Sequence, residues 1–198
     1  MDQGSHGHSA NRRDPLFATV IIAGLVFVAL VVWKLVPLPK VAALTAGLFC
    51  IARTGWFASC SRGVSLGIGV AAGAIFLLAP LGSVTAWQVT GAAFFLAAGW
   101  QLAAAMREPE TGRMRLAAAG VALGAGSSLL PVLIPLAAAP ILAFAVLRYL
   151  AGRRRLVASR RGAPVPGISL WEAVIWLGIV PVAIYVAAMT LLPNIVKS

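Results

Sequence analysis

The sequence predicts an all-α, polytopic integral membrane protein, a helical bundle of about seven transmembrane segments with its N-terminus in the cytoplasm. Composition is the first reason. Hydrophobic residues fill 61% of the 198 positions and charged residues 11%, against roughly half and a quarter in a soluble domain. Mean hydropathy is +0.95. Too little polar surface remains to cover a water-soluble globule, so lipid has to supply most of the solvent. The second reason is a recurrence of apolar runs near the ~20 residues that a span needs. The third is that arginines cluster between those runs rather than along one basic face. That placement also interprets the net charge of +11. No zinc-finger, RNP or helix-turn-helix pattern accompanies it, so nucleic acid is not expected. Anionic lipid headgroups at the basic loops are the expected partner.

Residues 1–15, "MDQGSHGHSANRRDP", form a polar tail closed by Pro15. The run at 16–36 is too long for a signal-peptide core and reaches "WKLVPLPK" without a small-residue cleavage site, which predicts a retained first span. Residues 41–59 are ambiguous because they contain Arg53. Runs 64–84 and 85–106 meet at "PLGSVTAW", where Pro80, Gly82 and Ser83 predict a tight turn. Residues 116–150 carry no charge before Arg148, too long a run for one span and tight for two. They read as spans 116–130 and 132–150, or as one re-entrant hairpin breaking near "GAGSSLLPVLIP" (124–135), so the count is six to seven. A basic loop, 151–169, leads to the last span, 170–192. Residues 16–198 therefore make one membrane domain.

Charge placement settles the ambiguous run. Basic residues cluster at Arg12 and Arg13, at Arg107, Arg113 and Arg115, and at Arg153 to Arg161. Short cytoplasmic loops collect Lys and Arg, so the three clusters belong on one side. An even number of crossings must then separate the first two, which makes 41–59 a span and puts Arg53 in the membrane. Of the 16 basic residues, only Lys34, Lys40 and Lys197 fall on the far side.

An ionisable side chain inside hydrocarbon is costly and marks a candidate functional position. Both histidines, His6 and His8, lie in the tail, so no span offers a histidine to haem or zinc. Among the carboxylates only Glu172 adjoins a span, which leaves a paired acid/base site without material. Ser127 and Ser128 have no placed base and do not match GxSxG; they read as helix-packing hydroxyls. Cys50 and Cys60 are ten residues apart, roughly 15 Å on a helix, too far for a disulfide. Arg53 shares a helix face with Cys50, Phe57 and Cys60 and lies roughly 13 Å from Arg62. It can snorkel to the inner surface, pair with Glu172, or meet an anionic substrate. The glycines and serines at 120–128 before Pro131, Pro135 and Pro140 suggest a discontinuous helix, which either lines a site as in transporters or simply bends around a neighbouring helix. Gly67, Gly69, Gly73, Gly91, Ala98 and Gly99 are expected to allow close helix approach.

The candidate intramembrane polar site is thus Arg53, Glu172, Ser127 and Ser128, with no catalytic, cofactor or metal residue assigned. The expected function is non-enzymatic. It is a subunit or assembly factor of a larger complex in a bacterial cytoplasmic membrane, bound to a protein partner or to further copies of itself. The alternative is a small oligomeric transporter or channel with its site at 124–135.

Overall fold

In the computed structural model, the described residues are 16–34, 36–59, 62–78, 81–107, 111–131 and 170–191. Every element among them is helical. In chain order these are α1 (Leu16–Lys34), α2 (Leu38–Ser59), α3 (Arg62–Leu78), a 3-10 turn (Leu81–Ser83), α4 (Ala86–Arg107) and α5 (Gly112–Leu129). The last helix is α6 (Leu170–Val174), which continues through a π-helical stretch (Ile175–Ile179) into α7 (Val180–Leu191). The predicted tail 1–15, the second half of the proline-rich run at 132–150 and the loop 151–169 lie outside the described residues.

Local chemistry sets the boundaries. Pro37 and Pro39 flank the start of α2, where a missing N–H costs no helical bond. The N–H groups of Lys40 and Val41 donate to Pro37 O at 2.9 and 3.2 Å. Thr85 and Gln88 form a reciprocal capping box that opens α4. The Thr85 N–H donates to Gln88 Oε1 at 3.0 Å and the Gln88 N–H to Thr85 Oγ1 at 3.2 Å. Thr85 is therefore a cap, and the turn expected around Pro80 is the 3-10 turn just before it. Helix α5 ends inside the stretch 124–135, where a break is expected. It runs unbroken through Gly124, Gly126, Ser127 and Ser128 to Leu129, and ends where Pro131 withdraws a donor.

Among the described residues, three helices are long and apolar enough to cross a membrane: Leu38–Ala58, Ala86–Met106 and Trp171–Leu191. The helices Leu16–Val32 and Gly63–Leu78 are apolar but shorter. Phe17, Leu25, Val32, Ile75, Leu78 and Val182 all point outward. Water would penalise such a surface, and lipid does not. The chain is a membrane protein.

Two cores hold the helices. Val26 and Leu30 of α1, Leu44 and Leu48 of α2, Ala72 of α3 and Val89 of α4 make the first. Ala98 and Leu102 of α4, Leu116, Ala119 and Leu123 of α5, and Ala173 and Leu177 of the last helix make the second. Contact between α2 and α4 joins them. Close approach depends on particular small residues. A Cβ on Gly69 would stand 3.3 Å from Ala52 Cβ, and one on Gly73 would stand 3.0 Å from a Val26 methyl. Ser65 lies one turn earlier on that face (i, i+4, i+8) and donates through Oγ to Ala52 O at 2.8 Å, fully buried. Gly67 and Gly99, expected at such contacts, face open space. Gly67 is two residues from Gly69, and two helical positions turn a side chain to the opposite side. Ser65→Ala is expected to lower stability by about 1 kcal/mol, typical of an interhelical hydrogen bond in a membrane. Thermal unfolding in detergent, with Gly67→Ala as a neutral comparison, measures it.

Candidate functional site

One end of the bundle carries the polar chemistry. Helix α2 presents Arg53 one turn before Phe57, and their i, i+4 spacing brings the guanidinium over the ring. The Arg53 guanidinium carbon lies 5.0 Å from the ring centroid, and the residue is only 6% exposed. A second cation, Arg115 of α5, approaches the same ring at 5.7 Å. Arg115 is held in place from two sides. Its Nε donates to Thr111 Oγ1 at 2.9 Å and its Nη1 to Gln101 Oε1 at 3.4 Å. Two guanidinium groups thus share one aromatic ring, whose negative face offsets part of the desolvation of each. Concentrated positive charge at the rim of an apolar bundle can attract a phosphate or carboxylate.

Glu172, at the start of the last helix, lies at this same end. Its Oε1 accepts from Arg113 Nε at 2.9 Å, with the side chains 78% (Arg113) and 28% (Glu172) exposed. A pair so open to solvent contributes little, and a double-mutant cycle on Arg113→Ala and Glu172→Ala is expected to give a coupling below about 1 kcal/mol. High salt should shrink it further.

The serines belong elsewhere. Ser127 and Ser128 are buried at the far end of α5. Ser127 is twelve residues beyond Arg115, roughly 18 Å along the axis. Ser128 Oγ donates to Gly124 O at 2.8 Å, the hydroxyl-to-own-helix bond usual for membrane serines. The four candidates therefore separate into Arg53 and Glu172 at one end and the serine pair at the other. The glycines beside the serines are filled by neighbours. A Cβ on Gly124 would stand 2.8 Å from Ile184 Cβ, one on Gly126 would stand 2.7 Å from the Phe95 ring, and one on Gly120 would overlap the Trp176 carbonyl oxygen.

Comparison with known protein families, characterised proteins and solved structures finds no match for this chain.

The sequence placed Phe57 on the face of Arg53, but gave Arg115, Gln101 and Trp100 no part in the site. Trp100 meets Phe49 edge-on, with centroids 5.6 Å apart. Its buried Nε1 has no hydrogen-bond partner among the described residues. Gln101, a carboxamide near the end of an apolar run, was the available signal. Arg115 read only as part of a charged loop, and nothing in its spacing points to Phe57.

Proposed function

We propose that the chain is a non-catalytic subunit or assembly factor of a larger complex in a bacterial cytoplasmic membrane. In this reading it crosses seven times with its N-terminus inside. The last helix carries the proposal. It is the most apolar of the three long helices, yet only 11% of it is buried within the chain. It leans on α5 along one seam and leaves Ile179, Val182, Val186 and Met189 facing outward. That face is a broad apolar surface on which a partner's helix can pack.

The arrangement of ends supports the topology. Short links join α1 through α5, as in antiparallel hairpins. Arg53, Arg113 and Arg115 meet at one end, and Lys40 begins α2 at the other. Gly120 meets Trp176, Gly124 meets Ile184, and Arg113 meets Glu172, so α5 and the last helix run parallel. A parallel pair supports a returning pass between them. Transport is the second reading, and the buried Arg53 is the observation in its favour. The close contacts at Gly120, Gly124 and Gly126 weigh against a path along that stretch of α5.

Purification from native membranes in mild detergent tests the proposal. A stoichiometric second chain is the expected result, and a pure homo-oligomer would turn the argument to transport. Topology is checked separately with single cysteines in a background lacking Cys50 and Cys60. Ser83→Cys should react with an impermeant maleimide on intact cells, and Thr111→Cys only after permeabilisation.

A further inference from the structure

At the end of the bundle away from the arginines, α3 and the start of α4 each pack on α2 but barely touch one another. They leave a half-open crevice of about 480 Å³, within the range of ligand-sized pockets. Its walls include Ala43 and Gly47 of α2, Phe76 of α3, and Ala92 and Leu96 of α4, with Leu130 at the end of α5. Alanines such as Ala43 and Ala92 line it where larger side chains would project into the space. An unfilled space of this size forfeits the dispersion contacts of its lining. Water is a poor filler, because it needs several polar partners and the walls are apolar apart from Gln88.

Helical position assigns two polar side chains, Lys40 and Gln88, to one rim. Lys40, Ala43, Leu44 and Gly47 follow i, i+3, i+4, i+7 spacing, so Lys40 occupies the crevice-lining face of α2 one turn above the walls. Gly47 abuts Leu96, and Phe49 abuts Trp100 further along both helices, so α2 and α4 run parallel. Lys40 is therefore level with the first turn of α4. There the capping box holds Gln88 Oε1 on the Thr85 N–H, which leaves the carboxamide NH₂ to donate at the rim. Trp87, in the same turn, is exposed as interfacial tryptophans are.

We propose that this crevice is a phospholipid site, with one acyl chain lying among α2, α3 and α4 and the phosphate held by the Lys40 ammonium and the Gln88 carboxamide. The proposal rests on the membrane placement and is independent of the subunit reading.

The full chain, extracted in mild detergent and washed to strip loosely held lipid, is examined by native mass spectrometry. One phospholipid per chain is the expected result. Ala43→Leu with Ala92→Leu, which fills the crevice, should reduce retention by at least about tenfold. Ala42→Leu, at the exposed neighbouring position, should not, and Lys40→Gln should weaken retention severalfold. A phospholipid carrying a diazirine midway along its acyl chain, incorporated with the wild-type chain, gives a second readout that no folding defect can confuse. Label is expected at Ala43, Ala92 and Leu96, competed by unlabelled phospholipid. Label spread evenly over outward residues such as Phe17 and Val182 would overturn the proposal. So would cysteine cross-linking that finds residues 132–169 or a second copy of the chain in the crevice.

Discussion

Gly120→Ala is expected to lower the melting temperature in detergent by roughly 5–10 °C, while Gly99→Ala and Gly24→Ala leave it unchanged or raise it slightly. Elsewhere in a helix, alanine is favoured over glycine by up to about 1 kcal/mol. A Cβ added at Gly24 or Gly99 would have nothing within 4 Å of it, so there the preference is realised. At Gly120 the obstacle is the backbone oxygen of Trp176, which no rotamer change removes. The exposed carbonyl has a local cause. In an unbroken α-helix the Val180 N–H would donate to Trp176 O, but here it donates to Ile175 O. The following residue, Pro181, has no N–H to offer. The π-helical stretch and the proline thus turn the Trp176 carbonyl toward α5, and only glycine accepts it. Pro181→Ala returns a donor to the last helix, so the Gly120→Ala penalty should be smaller in that background. Equal penalties in both backgrounds would show that Pro181 does not set the contact.

Helix positions were legible in the sequence because their cause is one-dimensional. A run either is or is not long and apolar, and the arginine clusters set the parity of crossings that the sequence leads one to expect. The same parity required 41–59 to be membrane-spanning despite Arg53, and α2 covers it (Leu38–Ser59). Which face of each helix meets which neighbour was not legible. In water an apolar stripe announces its buried side, whereas lipid and protein are equally apolar and the stripe disappears. Gly67, Gly69 and Gly73 therefore looked alike until α2 stood beside two of them. The π-helical stretch had a visible signal, a proline within the last apolar run. That proline, Pro181, stands alone in its run, whereas Pro131, Pro135 and Pro140 come as a group and give the louder signal. Of the candidate site, Arg53 emerged from cost alone, since a charge at that depth needs a reason. Its neighbour Arg115 comes from a helix far along the chain, and no local pattern connects the two.

Replacing Arg53 is the other substitution with a large expected effect, and three variants separate its causes. Arg53→Ala removes the charge and the stem. The buried methylenes contribute about 2 kcal/mol, and the cation–ring contact with Phe57 about 1–2 kcal/mol. Opposing this, removing an arginine from mid-membrane would gain about 2.5–3.5 kcal/mol. That gain applies at the centre of the bilayer. Arg53 instead points to the end where Gln101, Thr111 and Arg115 make a polar shelf, so the loss should prevail. Arg53→Ala is expected to cost about 2–4 kcal/mol in detergent unfolding. Arg53→Met keeps the stem without charge and should cost about 1–2 kcal/mol. Arg53→Lys keeps the charge but loses the planar face that lies on the ring, and should fall close to Met. A cycle with Phe57→Leu should return a coupling of about 0.5–2 kcal/mol, and a zero coupling would remove the ring from the account. Partner co-purification then reads function apart from fold. If Arg53→Met folds with its modest loss yet no longer retains the partner chain, the guanidinium acts on something beyond Phe57. If the partner stays bound, Arg53 serves the bundle itself, holding the ends of α2 and α5 around one ring.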